Sequence, residues 1–201
     1  GPQTALIAEA RPHQVESVVL IAPVGPMTAA ARLKRVEGFR APLPTAEGWA
    51  KYNASFIGNH TSDFLHFFFS RLFCEPRAST QIEDAVEWGN TATAQALIDS
   101  TVGSLLSAND FQKAYEALKC PVLLIHGNAD EIVPVTTGRE VARACNAELI
   151  EMPGSGHGPH LRHPAAVNQN IRNFLHRHNI LKQPKWKPPQ SRRTPRILYL
   201  S

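Results

Sequence analysis

Two short phrases in this sequence hold a carboxylate and an imidazole in settings where they could act together. The first is residues 127–134, GNADEIVP, with Asp130 at its centre. The second is residues 153–160, PGSGHGPH, with His157 between two glycines. An aspartate bonded to an imidazole fixes the ring's tautomer and stabilises the imidazolium formed when the ring takes a proton in acyl transfer. Glycine and proline around both groups put them in loops rather than in regular elements. Asp130 alone reads more simply as closing a turn after Gly127; its pairing with the His157 phrase, in that order, points to chemistry. Glu131 is assigned to solvent, and His126 to the core or to support of the site. His157, His160 and His163 raise the question of a metal trio. Their spacing is neither HExxH nor that of a zinc finger, so no metal and no cofactor is expected. His160 reads as a loop residue and His163 as a helix-entry residue before Pro164.

Each phrase directly follows an apolar run, PVLLIH over residues 121–126 and AELIEM over 147–152. Runs of this kind read as buried strands, and the loops after the carboxyl ends of parallel strands are where ligands and catalytic groups collect. A third such run, VESVVLIA over residues 15–22, ends at Pro23 and follows a helix-forming stretch at 5–10 that stops at Pro12. Helix running into a buried strand is the repeating unit of an α/β parallel sheet. Residues 136–145 read as helix. Residues 164–178 read as a closing helix whose Val167, Ile171, Phe174 and Leu175 share one apolar face. Residues 26–118 differ in character. Helical spacing recurs there over 47–56, 63–73, 80–88 and 110–118, with Asp63 and Asp110 as N-caps and Ser79 or Thr80 capping the third. This is a helical insertion between two strands. Its aromatics, from Trp49 to Trp88, read chiefly as core, and the insertion is expected to lie over the sheet edge beside His157 and roof a cavity there.

The two phrases resemble the α/β-hydrolase superfamily. His126, Gly127, Asp130, Val133 and Pro134 match its HGxxDxxVP-like phrase, and Pro153, Gly154, Gly156, His157, Pro159 and His160 match its PGxGHxPH-like phrase. Gly1-Pro2 with Ala5, Leu6, Ala8, Arg11 and Pro12, followed by VESVVLIAP, looks like the helix and strand just downstream of a GxSxGG nucleophile elbow. The resemblance covers residues 1–178, and the helical insertion falls where the family carries its cap. It implies the latter half of an α/β-hydrolase sheet with an inserted helical cap, and it makes Asp130 and His157 the catalytic acid and base that follow a serine in chain order. No serine here stands in a GxSxG frame: Ser155 has Pro153 two places before it, and Ser104 has Val102. The expectation is therefore a fragment that starts after the elbow and is inactive alone. The parent would hydrolyse an ester or related acyl bond of a small, apolar substrate. The enzymatic rival is an epoxide hydrolase or dehalogenase with an aspartate nucleophile, in which His157 activates water. The non-catalytic rival is a hydrolase-like module that binds through its pocket or merely accompanies a fused sugar transferase.

Composition bounds the partners. With 43% hydrophobic and 19% charged residues in 201, the chain can bury one globular core, placed at residues 1–180. No apolar run approaches the ~18 residues of a membrane span and no signal peptide opens the chain, so a cytoplasmic protein without a membrane partner is expected. The cysteines, Cys74, Cys120 and Cys145, are odd in number and lack CxxC spacing, which favours buried free thiols. The sequons at Asn53 and Asn59 carry little weight. The net charge of +4 belongs to the tail: nine basic and no acidic residues follow Glu151, which leaves −5 for the rest. A nucleic-acid partner is therefore not expected, a small-molecule substrate is, and oligomeric state is not legible. Residues 181–195 have the basic, proline-rich composition of a linker. The final RILYLS, residues 196–201, resembles the first strand of a Rossmann-like domain such as the N-terminal half of a two-domain glycosyltransferase, although a disordered tail reads equally well.

Overall fold

Three apolar runs become one parallel sheet in the computed structural model, which describes residues 1–25, 29–43, 45–102 and 108–181. The strands β1 (Val18–Ile21), β2 (Val122–Gly127) and β3 (Glu148–Met152) lie in that order, with β2 central and buried along its whole length. Leu20 faces Leu124 across one pair, and Leu124 faces Leu149 across the other. Around the sheet stand α1 (Pro2–Ala10), α7 (Ala108–Glu116), α8 (Val135–Ala144) and α10 (Pro164–Arg177).

Alternation along the strands sends side chains to two separate cores. Val18, Leu20, Val122 and Leu124 meet Ala5 and Ala8 of α1, Tyr115 of α7 and Val141 of α8. Leu123 and Ile125, with Val19, Ile21 and Ile150, meet Val167 and Phe174 of α10. Because both faces are buried, a one-residue slip would exchange two sets that fit different helices, which fixes the register. The expected apolar face of the closing helix is thus the one that packs, with Ile171 and Leu175 at its margin.

The first strand is shorter than expected. The amides of Gln14 and Val15 both donate to Arg11 O, so the chain is still turning at residue 15, and Ala22 has φ 44°, which ends the extended run. α1, by contrast, starts earlier than expected, on Pro2; α9 (Pro159–Arg162) and α10 also open on proline, where the missing N–H costs no helical bond.

All the remaining helices lie between β1 and β2: α2 (Ala29–Arg40), a 3-10 turn (Gly48–Lys51), α3 (Ala54–Asn59), α4 (Thr61–Leu72), α5 (Ser79–Gly89) and α6 (Ala94–Val102), followed by α7. Two of them, α2 and α6, lie outside the four stretches with helical spacing. The single helix expected over 47–56 is broken at Asn53, whose side-chain oxygen accepts from Ser55 N at 2.9 Å while its amide donates to Ala41 O at 2.8 Å. That sequon asparagine is 1% exposed and serves as a helix cap. Asp63 is not an N-cap, because α4 begins at Thr61; it lies in the first turn and pairs with Lys51 at 2.8 Å. Ala78, not Ser79 or Thr80, is the N-cap of α5. Asp110 likewise lies within the first turn of α7.

The helices between the strands have a core of their own. Phe39, Phe56, Ile57, Phe64, Leu65 and Val86 form one buried cluster, to which Tyr52 adds a stacked contact with Phe68 at 6.2 Å. These rings close on one another. Trp49 and Trp88 are exposed. Among the described residues no helix is long and apolar enough to cross a membrane. Residues 182–201 lie outside the described residues, and with them nearly all of the expected linker and the RILYLS run.

Candidate active site

Two consecutive strands deliver the two phrases to one edge of the sheet. β2 ends at Gly127 and β3 at Met152, in register with each other, so the loops that follow leave side by side. They are sewn together through the backbone. Asn128 N donates to Met152 O, Ala129 N to Ser155 O, and Gly154 N to the Asn128 side chain at 2.7 Å. The approach is so close that a Cβ on Gly127 would lie 2.1 Å from Ser155 O; only glycine fits.

Asp130 is buried, and every oxygen of its carboxylate is engaged. Oδ1 accepts from the amides of Ile132 and Val133 at 2.8 and 2.9 Å. Oδ2 lies 2.8 Å from His157 Nδ1 and 3.1 Å from His126 Nε2. Burial alone would raise the carboxyl's pKa, but bonds from His126, His157 and the Val133 amide outweigh it and hold the group well below the usual carboxylate range. The group is therefore an anion throughout the physiological range. Since a carboxylate only accepts, His157 donates from Nδ1, which leaves Nε2 of the neutral ring as the acceptor. His126 Nε2 also lies 2.9 Å from Val133 O, a carbonyl, so that nitrogen is the donor in both contacts.

Of the residues singled out in the sequence, the structure joins Asp130, His157 and His126. His126 is fully buried behind the aspartate rather than a bystander in the core. Glu131 is exposed as expected, yet it is paired with Arg71 of α4 at 3.0 Å. His163 is the N-cap of α10, as expected, whereas His160 lies in α9 rather than in a loop. Among the described residues no group of three or more His, Cys, Asp or Glu could hold a metal ion. Cys145 is the one buried cysteine; Cys74 and Cys120 are partly exposed. Cys74 nonetheless approaches the site, and its thiol donates to Ala129 O at 3.2 Å. Burial, then the charges of Glu75, Glu131 and Asp130, push its pKa up, so it stands as a neutral donor and not as a thiolate nucleophile.

Sequence reasoning missed Glu75 and Arg162. Glu75 is 8% exposed and accepts from Ser155 Oγ at 3.2 Å and from Gly156 N at 2.8 Å, inside the loop that carries His157. Leu72 O accepts from His157 N itself at 3.2 Å. The end of α4 and the turn after it thus lie against the same sheet edge as Asp130 and His157. Nothing in the local pattern around Glu75 marked it out, because its partners are about eighty residues away.

A family model described as the alpha/beta hydrolase family matches residues 3–170. The chain belongs to the alpha/beta hydrolase family. Its relatives in that family include a non-heme haloperoxidase of Rhodococcus erythropolis, 26% identical over 182 residues, a match that covers 87% of this chain and 64% of the relative. A pimeloyl-[acyl-carrier protein] methyl ester esterase of Xylella fastidiosa (strain 9a5c) is 32% identical over 104 residues, covering 50% of this chain and 39% of that protein. In three dimensions the chain matches a thermophilic esterase from Thermogutta terrifontis with a TM-score of 0.66 at 20% identity, over 87% of this chain and 60% of that one. The structural match carries the alpha/beta hydrolase fold. In each case the chain spans less than two thirds of the relative's length.

Proposed function

We propose that Asp130 and His157 are the acid and base of a Ser-Asp-His type triad in a hydrolase of esters or related acyl bonds, acting on a small apolar substrate. The nucleophile in this reading is a serine that comes before the acid and the histidine in chain order. One observation carries it: the 2.8 Å bond between His157 Nδ1 and a buried, fully engaged Asp130 carboxylate. Such a bond leaves Nε2 as the base. Nε2 takes the serine proton as the oxygen attacks the acyl carbon, the imidazolium is stabilised by Asp130, and the proton then passes to the departing alkoxide. Water repeats the sequence on the acyl-enzyme and releases the acid. That relatives of this chain include a methyl ester esterase supports the bond type. Three unpaired cysteines suit the reducing conditions of a cytoplasmic protein.

The test uses the chain extended upstream through the expected elbow, with short-chain p-nitrophenyl esters and a fluorophosphonate label. Hydrolysis and serine labelling that both collapse in His157→Ala are expected. Unchanged ester hydrolysis in His157→Ala would overturn the reading, and turnover of epoxides or haloalkanes without serine labelling would replace it with an aspartate nucleophile.

A further inference from the structure

A buried carboxylate is costly unless something uses its charge, because desolvation exceeds the worth of ordinary hydrogen bonds. Glu75 sits in the turn between α4 and α5 with a side chain 5% exposed. Its Oε1 accepts the two bonds from Ser155 Oγ and Gly156 N, and Ser155 is fully buried. Among the described residues its Oε2 has no hydrogen-bond partner, and it lies 3.8 Å from Arg162 Nε, which has none there either. Arg162 belongs to α9, immediately after the His157 loop. Its remaining nitrogens are held by the helical insertion, Nη1 on Gln81 Oε1 at 2.7 Å and Nη2 on Pro76 O at 3.0 Å. The loop is therefore gripped on both sides by the same turn. Leu72 O takes the His157 amide, and a Cβ on Gly156 would come within 2.8 Å of that carbonyl. No slack is left between the insertion and the loop.

We propose that Glu75 is a positioning residue for His157: with Arg162 behind it, its carboxylate clasps residues 155 and 156 to the end of α4 and couples the seating of the helical insertion to the geometry of the Asp130–His157 pair. This rests on the triad reading given above. The clasp acts through the backbone. Ser155 O and Gly156 N are the groups on either side of one peptide, the first receiving Ala129 N from the Asp130 loop and the second donating to Glu75. Releasing Glu75 frees that peptide to rotate, and His157 is the next residue. A displacement of about 1 Å at a reacting group costs on the order of 100-fold in rate, so the clasp has leverage far beyond its own two bonds.

The primary measurement needs no turnover. In the present chain with 15N-labelled histidine, the ring-nitrogen shifts of His157 report its tautomer and the Nδ1–H bond to Asp130. Wild-type protein is expected to show one tautomer with a protected Nδ1–H. Glu75→Ala is expected to lose that protection and mix tautomers, while the methyl signals of Leu123 and Ile125 in β2 stay in place. Glu75→Gln retains an oxygen for Ser155 and Gly156 and is expected to keep most of the signature. Should Glu75→Ala fail to fold, Ser155→Ala, which deletes one of the two bonds, is expected to lose part of the protection. An unaltered His157 signature in folded Glu75→Ala or Ser155→Ala overturns the proposal, as does a loss in Glu75→Gln equal to that in Glu75→Ala. In the extended protein the same Glu75→Ala change is expected to lower kcat about 10- to 100-fold with KM little changed. Failure of the triad reading shows instead in His157→Ala retaining activity, whatever the nitrogen shifts report.

Discussion

The Asp130 loop and the Glu75 turn each bury a carboxylate against the segment that carries His157, and they finish it differently. Asp130 has both oxygens doubly engaged, by two amides and two imidazoles, and lies in a loop that leaves the central strand. Glu75 has one oxygen doubly engaged and the other facing an arginine nitrogen beyond hydrogen-bond reach. The first arrangement tolerates no movement without losing a bond to a charge. The second holds the loop through one oxygen only and leaves the other to a longer-range attraction to the guanidinium. A carboxylate that must present a fixed charge to an imidazole is built in the first way. One that joins two separately packed bodies, the sheet layer and the helical insertion, is built in the second.

Substitutions can break that contrast, beginning with the largest effect. In the extended protein, Asp130→Asn is expected to lower kcat for ester hydrolysis on the order of 10³- to 10⁴-fold. The amide group would oppose the Nδ1–H of His157 and favour the wrong tautomer, whereas Glu75→Gln should cost less than tenfold. Equal losses in the two would show that both carboxylates act on the reacting group and that the contrast is false. Gly127→Ala tests the backbone junction on which both rest. With Cβ forced against Ser155 O, the two loops must separate, and a loss of about 3 kcal/mol in urea unfolding is expected together with loss of the His157–Asp130 bond. A normal midpoint would mean the loops yield more easily than their spacing implies.

The pH dependence sharpens the Asp130 side. Its carboxyl is held below the ordinary value near 4 in the folded protein, so the folded state binds that proton less readily than the unfolded chain does. The stabilisation is complete above about pH 5 and is lost as pH falls toward the folded value. The urea midpoint of the wild type should therefore drop between about pH 5 and pH 3, and Asp130→Asn should flatten part of that slope. The exposed pairs of Glu148, with His178 and Arg177, and of Glu151, with Arg139, act in the same direction and leave a remainder in the variant. An identical slope in both proteins would remove the depressed carboxyl from the account. The smallest effect belongs to Trp88, which is 67% exposed; Trp88→Ala should change stability by less than about 0.5 kcal/mol. A larger loss would reveal that the ring is covered in solution.

Much of the sheet half was legible because its signals are local. Continuous apolar runs marked the three strands, proline and glycine marked the loops after two of them, and the order of an aspartate and a histidine phrase marked the pair. The helical insertion was half legible. Aromatic and aliphatic spacing pointed to helices over 47–56, 63–73, 80–88 and 110–118, and helices stand there among the described residues, but the breaks came from groups whose partners are distant. Asn53 caps α3 with its side-chain oxygen while its amide is held by the distant Ala41 O, and α2 shows only a weak apolar pattern of its own.

By itself, then, the sequence determined the α/β class, the strands and the identity of Asp130 and His157 as candidates, since each depends on residue type and short-range order. Only the tertiary structure decided that Oδ2 of Asp130 meets Nδ1 of His157, that His126 stands behind the aspartate, and that Glu75 and Arg162 take hold of the loop. Those are facts of distance between segments far apart in the chain. A buried carboxylate and a solvated one have the same letter in a sequence, and only packing, by removing water and supplying donors, makes them different groups.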